Sequence, residues 1–308
     1  MNRRDFLKRA AATAISLGAL GQAKVPADDR AGRSRTEPVP TRSGTEQHIK
    51  LKKAVILGML PDKPGLEERF ALARDLGFQG IEVPPTADLK EARRMREAAR
   101  NVGIELHSVI YGGWHAPLSS PDPEIARKGA DGIAAALESA KELGADGVLV
   151  VPAVVNEKTR YVEAYERSQK RLMELAPLAE KAGVRILVED VWNNFLLSPM
   201  EFARYIDEIK SPWVQAYFDV GNVVAFGWPE DWIRTLGSRI KKVHLKDFKK
   251  GPRQFVNLRD GDVNWPEVRA ALREIGYTGY LTAELQGGDE AYLRDLSARM
   301  DTIISGGA

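Results

Sequence analysis

Eight short apolar runs, each separated from the next by a stretch of helical periodicity, constrain this chain more than any other feature of it. The runs are Ala54–Leu60, Gly80–Pro84, Glu105–Tyr111, Gly147–Val154, Arg185–Val191, Val214–Gly221, Lys241–Phe248 and Tyr280–Leu285. Each has the length of a buried strand. Between them, "GLEERFALARDLG" puts Leu66, Phe70, Ala73 and Leu76 on one helical stripe and stops at Gly77. "YVEAYERSQKRLMELAPLAEKAG" does the same with Tyr165, Leu172, Leu175 and Ala179 before Gly183, and Pro177 inside it predicts a kink or a break. "ALESAKELG", "ALREIG" and "ARDLG" repeat one joint: an apolar residue, a glycine cap, then a strand. Eight strand–helix pairs in one chain of 308 residues predict an α/β fold, a single-domain (β/α)8 TIM barrel over 51–308. An open, doubly wound sheet is the other arrangement compatible with the strand count. Two connections are longer than the rest, 112–124 after the third strand and 249–264 after the seventh, and a barrel places both on its active rim.

The N-terminus reads differently. "NRRDFLKRAAATAISLGALGQA" couples Arg3 and Arg4 to a mildly apolar stretch and small residues before Ala23, which resembles a twin-arginine export signal over 1–23. The implied location is periplasmic or otherwise extracytoplasmic. Residues 24–50 are polar and poor in large apolar side chains, the composition of a disordered linker. No later segment approaches the ~20 apolar residues of a membrane span, so none is expected in the mature form. Removing 1–23 removes four basic residues and one acid, taking the net charge from +2 to −1. The body therefore carries no electrostatic footprint for nucleic acid. Without cysteine, any metal site must use His, Asp, Glu or Asn.

Four successive strands each end on such a group: Glu189 in "RILVED", Asp219 in "YFDVGN", His244 in "VHLKD" and Glu284 in "TAEL". Any one of them has an ordinary explanation as a cap, a salt-bridge partner or a turn former. Together, on strand ends that a barrel gathers at one mouth, they predict a site for one divalent cation. Two Glu, one Asp and one His suit Mn²⁺ first, then Mg²⁺, with Co²⁺ or Zn²⁺ also compatible.

The order Glu, "FDVGN", "VHLKD", "TAEL" resembles the xylose isomerase-like sugar isomerases and epimerases, over roughly residues 51–305. "VWNNFLLSP" and "FDVGNVVAFGWPEDW" are most similar to members called hexulose-6-phosphate isomerase or sugar-phosphate isomerase/epimerase. The resemblance implies a metal on Glu189, Asp219, His244 and Glu284, with Glu189 and Glu284 doubling as acid/base catalysts on opposite faces of a small sugar. It also implies that a homo-oligomer is common. Two positions depart from the pattern: Asn222 stands where ketose 3-epimerases carry His, and Phe195 where they carry a second Glu.

A metal beside two carboxylates suits proton removal next to a carbonyl, giving epimerisation or aldose–ketose isomerisation. The same apparatus would serve elimination from a 3-keto-glycoside, a lyase or hydratase outcome. A non-catalytic sugar-binding barrel is a third reading, though binding alone needs no pair of glutamates. The family's nuclease branch, with its trinuclear zinc, needs more histidines than the four present. Export favours a non-phosphorylated sugar or keto-sugar over a phosphosugar. Candidate substrate contacts are His107, Lys246, Asn222, Glu82 and Trp114, with His115 and Trp192 behind them; Asp247 is expected to orient a ligand or cap a loop.

Overall fold

The computed structural model describes residues 50–63 and 65–307. The leader expected over 1–23 and the linker expected over 24–50, Lys50 excepted, lie outside them. The expected strands all form: β1 (Lys52–Ile56), β2 (Gly80–Val83), β3 (Glu105–Gly112), β4 (Gly147–Val150), β5 (Arg185–Glu189), β6 (Val214–Asp219) and β7 (Ile240–Leu245). A short pair, β8 (Asp247–Lys249) and β9 (Gln254–Val256), precedes the last barrel strand, β10 (Tyr280–Ala283). Strands β1 to β7 and β10 are all parallel, and β10 pairs with β1 from Lys52 opposite Tyr280 to Val55 opposite Ala283. That pairing closes the barrel and excludes the open sheet.

Sequence runs overshoot the strands at their C-terminal ends. β4 stops at Val150 and β6 at Asp219, yet the apolar residues beyond them stay buried. They pack into the rim, so hydrophobicity continues where the hydrogen-bond ladder ends. The loop expected over 249–264 carries structure of its own, the antiparallel β8–β9 hairpin.

The helices end as the glycine joints predict. α1 (Leu66–Asp75) is followed by α2 (Leu89–Val102), α3 (Pro123–Leu143) and α4 (Tyr161–Ala182). The last three close on Gly103, Gly144 and Gly183, each in the left-handed conformation that lets the chain turn back towards a strand. α4 runs through Pro177 without the break its sequence suggested. Leu175, Ala176 and Ala179 are buried while Pro177 and Met173 are exposed, so the one carbonyl Pro177 leaves without an amide lies on the watered side. The remaining helices are α5 (Pro199–Ile209), α6 (Val220–Val224), α7 (Pro229–Leu236), α8 (Trp265–Glu274) and α9 (Glu290–Ser305).

One core lies between barrel and helices, built from residues such as Phe70, Ile133, Leu172, Phe202 and Leu296. A second, small one fills the barrel: Leu149, Leu187 and Tyr217, with Ile110 against them. Alternation along β7 turns Lys242, His244 and Lys246 inward in rising order. At the floor, glycine makes the space: a Cβ on Gly80 would lie 2.5 Å from the Tyr280 ring, and one on Gly147 2.6 Å from Leu187. Above the Leu–Tyr layer the interior becomes acidic.

Candidate metal centre

Glu189, Asp219, His244 and Glu284 each bring one ligand atom to within 4.8 Å of all the others. Donors sharing one ion at ~2.1 Å stand ~3 to ~4.2 Å apart, so the cluster has the dimensions of a single coordination sphere. His244 is its hub. Its Nδ1 lies 3.0 Å from Glu189 Oε1, 2.6 Å from Glu284 Oε2 and 3.9 Å from Asp219 Oδ2. Its Nε2 lies 2.6 Å from Glu82 Oε2 on a side chain with no exposure at all. A carboxylate there holds the Nε2 proton and leaves Nδ1 as the nitrogen a metal would take, the arrangement by which outer carboxylates orient metal-binding histidines.

Asp219 belongs to two structures at once. Its Oδ1 accepts the Asn222 amide at 2.7 Å and so caps α6, while Oδ2 faces His244 and Lys246. The sequence alternative of a turn former is thus true alongside the ligand geometry. Gly221, within that turn, leaves room for β7: a Cβ there would lie 2.4 Å from Lys246 Cβ and 2.9 Å from its backbone. Lys246 in turn reaches Asp219 at 3.3 Å and Glu284 at 2.9 Å.

Four carboxyl groups, those of Glu82, Glu189, Asp219 and Glu284, converge on two basic groups, His244 and Lys246, with the buried Asp190 carboxyl behind Asp219. Burial and then the charge of Glu284 push Glu189 up to about 7. Burial also opposes ionisation of Glu284, but the charges of His244 and Lys246 outweigh it and hold that acid well below the usual carboxylate range. Burial disfavours charge on His244, yet Glu284 and Glu82 raise it well above its ordinary value. Burial, with Asp219 adding to it, pushes Asp190 well up. Such an excess of acid in a low-dielectric space is what a divalent cation would offset, and the donor set of hard oxygens and one imidazole fits one.

The family described as "Xylose isomerase-like TIM barrel" matches residues 70–302. The chain belongs to that family. Among curated relatives, a putative L-ribulose-5-phosphate 3-epimerase of Shigella dysenteriae serotype 1 is 29% identical over 276 residues, covering 81% of this chain and 96% of the relative. The L-ribulose-5-phosphate 3-epimerase of Escherichia coli strain K12 is likewise 29% identical, over 280 residues with the same coverage. Solved structures share the xylose isomerase-like fold at lower identity. A D-psicose 3-epimerase crystallised with D-fructose superposes with TM-score 0.70 at 19% identity, covering 83% of this chain and all of that one. A 3-keto-D-glucoside 4-epimerase from E. coli gives 0.71 at 18%, covering 82% and 99%.

Within this xylose isomerase-like barrel the other predicted residues fall in varied places. Lys246 stands in the cluster, and Glu82 behind His244. Asn222 is a brace: its side-chain amide donates to the Asp190 carbonyl at 2.8 Å, and its own carbonyl accepts from Trp192 Nε1 at 2.9 Å. Phe195, where ketose 3-epimerases were expected to differ, is 1% exposed and packs among Tyr161, Tyr165 and Tyr205. His107 lies near the start of β3 and not at its end, because the strand runs on to Gly112. It stacks on Tyr280 at 4.2 Å near the barrel floor, with Lys242 3.3 Å from Nδ1 and Thr282 3.2 Å from Nε2. Burial and the charge of Lys242 hold it neutral, well below the ordinary histidine value. Trp114 stands half-exposed beside Gly112, and His115 is exposed with its ring at the edge of Tyr111.

Asp247 caps a loop. Its carboxylate accepts from the amides of Phe248, Arg259 and Val263 at 2.8, 2.8 and 3.2 Å and from Trp265 Nε1 at 3.0 Å, which fixes the whole β8–β9 excursion. Sequence reasoning gave no role to Asp190. Its Oδ1 accepts the Asp219 amide at 2.8 Å and so sets the ligand's backbone, while Oδ2 is buried without a partner among the described residues.

Proposed function

We propose that this chain is a metal-dependent sugar isomerase/epimerase that relocates a proton on a carbon next to a carbonyl. The observation that carries this is the meeting of Glu189 and Glu284 at one atom, His244 Nδ1, from the two outer members of four adjacent strands. Glu189, Asp219, His244 and Glu284 would hold the ion, Mn²⁺ foremost, with Mg²⁺, Co²⁺ or Zn²⁺ as alternatives. Bound there, it supplies Lewis acidity to a substrate carbonyl, worth several kcal/mol as negative charge develops on oxygen.

The chain supplies the proton chemistry. One glutamate removes the proton next to the carbonyl as general base, and the other returns one from the opposite face. Return to the same carbon inverts it; return to its neighbour interconverts aldose and ketose. Lys246, 2.9 Å from Glu284, is placed to donate to a substrate oxygen and to keep that glutamate ionised. The relatives named as sugar 3-epimerases support epimerisation. The substrate is a non-phosphorylated sugar or keto-sugar, because the leader-like residues 1–23 direct the protein away from the compartment that holds phosphosugars.

The test is solvent-deuterium uptake into a panel of ketoses and keto-sugars by Mn²⁺-loaded protein. Uptake is expected with at least one neutral ketose and should vanish in Glu189→Gln and in Glu284→Gln. Wild-type turnover in Glu284→Gln would rule out the two-glutamate scheme. Extracytoplasmic location is tested separately by fractionating cells that express the full chain. Replacing Arg3 and Arg4 together by Lys should retain it in the cytoplasm, and unchanged export would exclude the twin-arginine route.

A further inference from the structure

A cavity of about 560 Å³ opens directly beside the metal centre, with Glu284 and Lys246 forming its inner wall. Its outer wall comes from two sources: Phe255 and Val256 on β9, and Leu285 with Tyr292 from the end of β10 and the start of α9. The polar groups at its edge, Asn257 and Gln286, are uncharged amides; Asn257 already donates to Asp295 Oδ2 at 3.2 Å and accepts the Leu258 amide at 2.9 Å, so Gln286 is the rim amide turned to the cavity's needs. Lys246 is the one cation among these walls, and Asp219 and Glu284 already hold it at 3.3 and 2.9 Å.

The apolar wall is built to stay open. Phe255 is 39% exposed, yet its ring is braced by Trp192 at 5.1 Å and by Phe248 at 5.2 Å. Trp192 is pinned through Nε1 to the Asn222 carbonyl, and the hairpin carrying Phe255 hangs from Asp247. An aromatic side chain held half in water by two packed rings on an anchored hairpin is a preformed surface for a ligand ring, not a patch waiting to collapse.

We propose that this cavity is a subsite for a second, uncharged sugar ring attached to the sugar that reacts at the metal centre. This rests on the reading of the mouth as a sugar site and deepens it: the substrate is a neutral disaccharide-sized keto-sugar. The Phe255 and Tyr292 rings with the Gln286 amide beside them suit the apolar face and hydroxyl edge of a pyranose. A phosphate would find no uncommitted cation among the lining residues. Continuity with Glu284 places the ring beyond the reacting carbon and not in a separate site.

The experiment measures calorimetric affinity of the Mn²⁺-loaded full chain for D-fructose, for fructose 6-phosphate, and for three neutral disaccharides that end in fructose linked 1→3, 1→4 and 1→6. At least one disaccharide is expected to bind about tenfold or more tighter than fructose. Phe255→Ala should collapse that ratio towards one, and Phe255→Tyr should restore it. No disaccharide exceeding fructose, or fructose 6-phosphate exceeding all of them, overturns the proposal. Deuterium uptake is read in parallel. Uptake without a disaccharide preference removes the subsite and leaves the proposed activity; preference without uptake does the reverse.

Discussion

Replacing the Glu82 carboxylate by an amide should weaken the metal centre without weakening the barrel. Glu82 Oε2 lies 2.6 Å from His244 Nε2, and neither side chain is exposed. In Glu82→Ala the buried Nε2–H loses its acceptor, and the ring is free to carry its proton on Nδ1, the atom facing Glu189, Asp219 and Glu284. Loss of an outer partner of this kind costs about 10- to 100-fold in metal affinity, roughly 1.4–2.7 kcal/mol. Glu82→Gln keeps an oxygen in place and loses only charge, so its deficit should be about tenfold or less. Metal-free stability separates the two variants. Glu82→Ala orphans the buried Nε2–H and should lower the melting midpoint in chelator, whereas Glu82→Gln keeps an acceptor there and removes one of several neighbouring buried acids, so its midpoint should stay close to the parent's. Calorimetric Mn²⁺ titration paired with melting in chelator reads both quantities. An affinity for Glu82→Ala within twofold of the parent, or a fall in the metal-free midpoint of Glu82→Gln parallel to its fall in affinity, would refute the positioning role.

Three further outcomes follow from the same residues. Glu189, ordinarily at 4.5, titrates near 7 in the fold, and His244 is also raised, so the folded metal-free protein retains protons that the unfolded chain has lost as pH climbs above 4.5. Its stability should therefore decline with rising pH from about 5 upward, while metal affinity should climb about tenfold per expelled proton per pH unit, with the slope easing above 7; pH-independent affinity between 5 and 8 would contradict this. Asp190 is pushed well up by burial and accepts one amide bond, so Asp190→Asn should melt close to the parent at pH 7. Asp190→Ala, which orphans the Asp219 N–H, should lose about 1–3 kcal/mol in denaturant titration, and equal losses in the two variants would show that charge is needed there. Gly221→Ala drives a methyl against Lys246 and its backbone, and should cost about 1–3 kcal/mol and lower Mn²⁺ affinity; parental values for both would show that the turn yields freely.

The barrel was legible because its signals are local. Short apolar runs, helical stripes and glycine caps each declare themselves within a dozen residues, and eight repetitions leave little choice of fold. The four ligand candidates were legible for a related reason: strand ends converge, so a donor at each end needs no knowledge of register. What stayed hidden depends on register and depth. Asp190 meets the Asp219 amide only because β5 pairs with β6 with Glu189 opposite Tyr217. Glu82 reaches the back of His244 across the interior from a strand that is not its neighbour. His107 is a floor residue for the same reason: third in a strand expected over Glu105–Tyr111 and observed over Glu105–Gly112, it lies too deep for the substrate contact expected of it. Asn222 and Phe195 show a further limit. A position that differs from a family pattern says that something changed, and only the surrounding contacts say whether it became brace or core.

Asp219 ties the survival of the chemistry to that of the architecture. One of its oxygens terminates a helix and the other faces the ion site, on a carboxylate with no solvent exposure. A descendant drifting towards mere ligand capture, or towards no activity, would find this acid harder to discard than either glutamate, since the turn after β6 would have to be rebuilt with it. Members of such a lineage should therefore keep the aspartate long after Glu189 or Glu284 has gone, a fossil that records the ancestral reaction in the wall of the barrel.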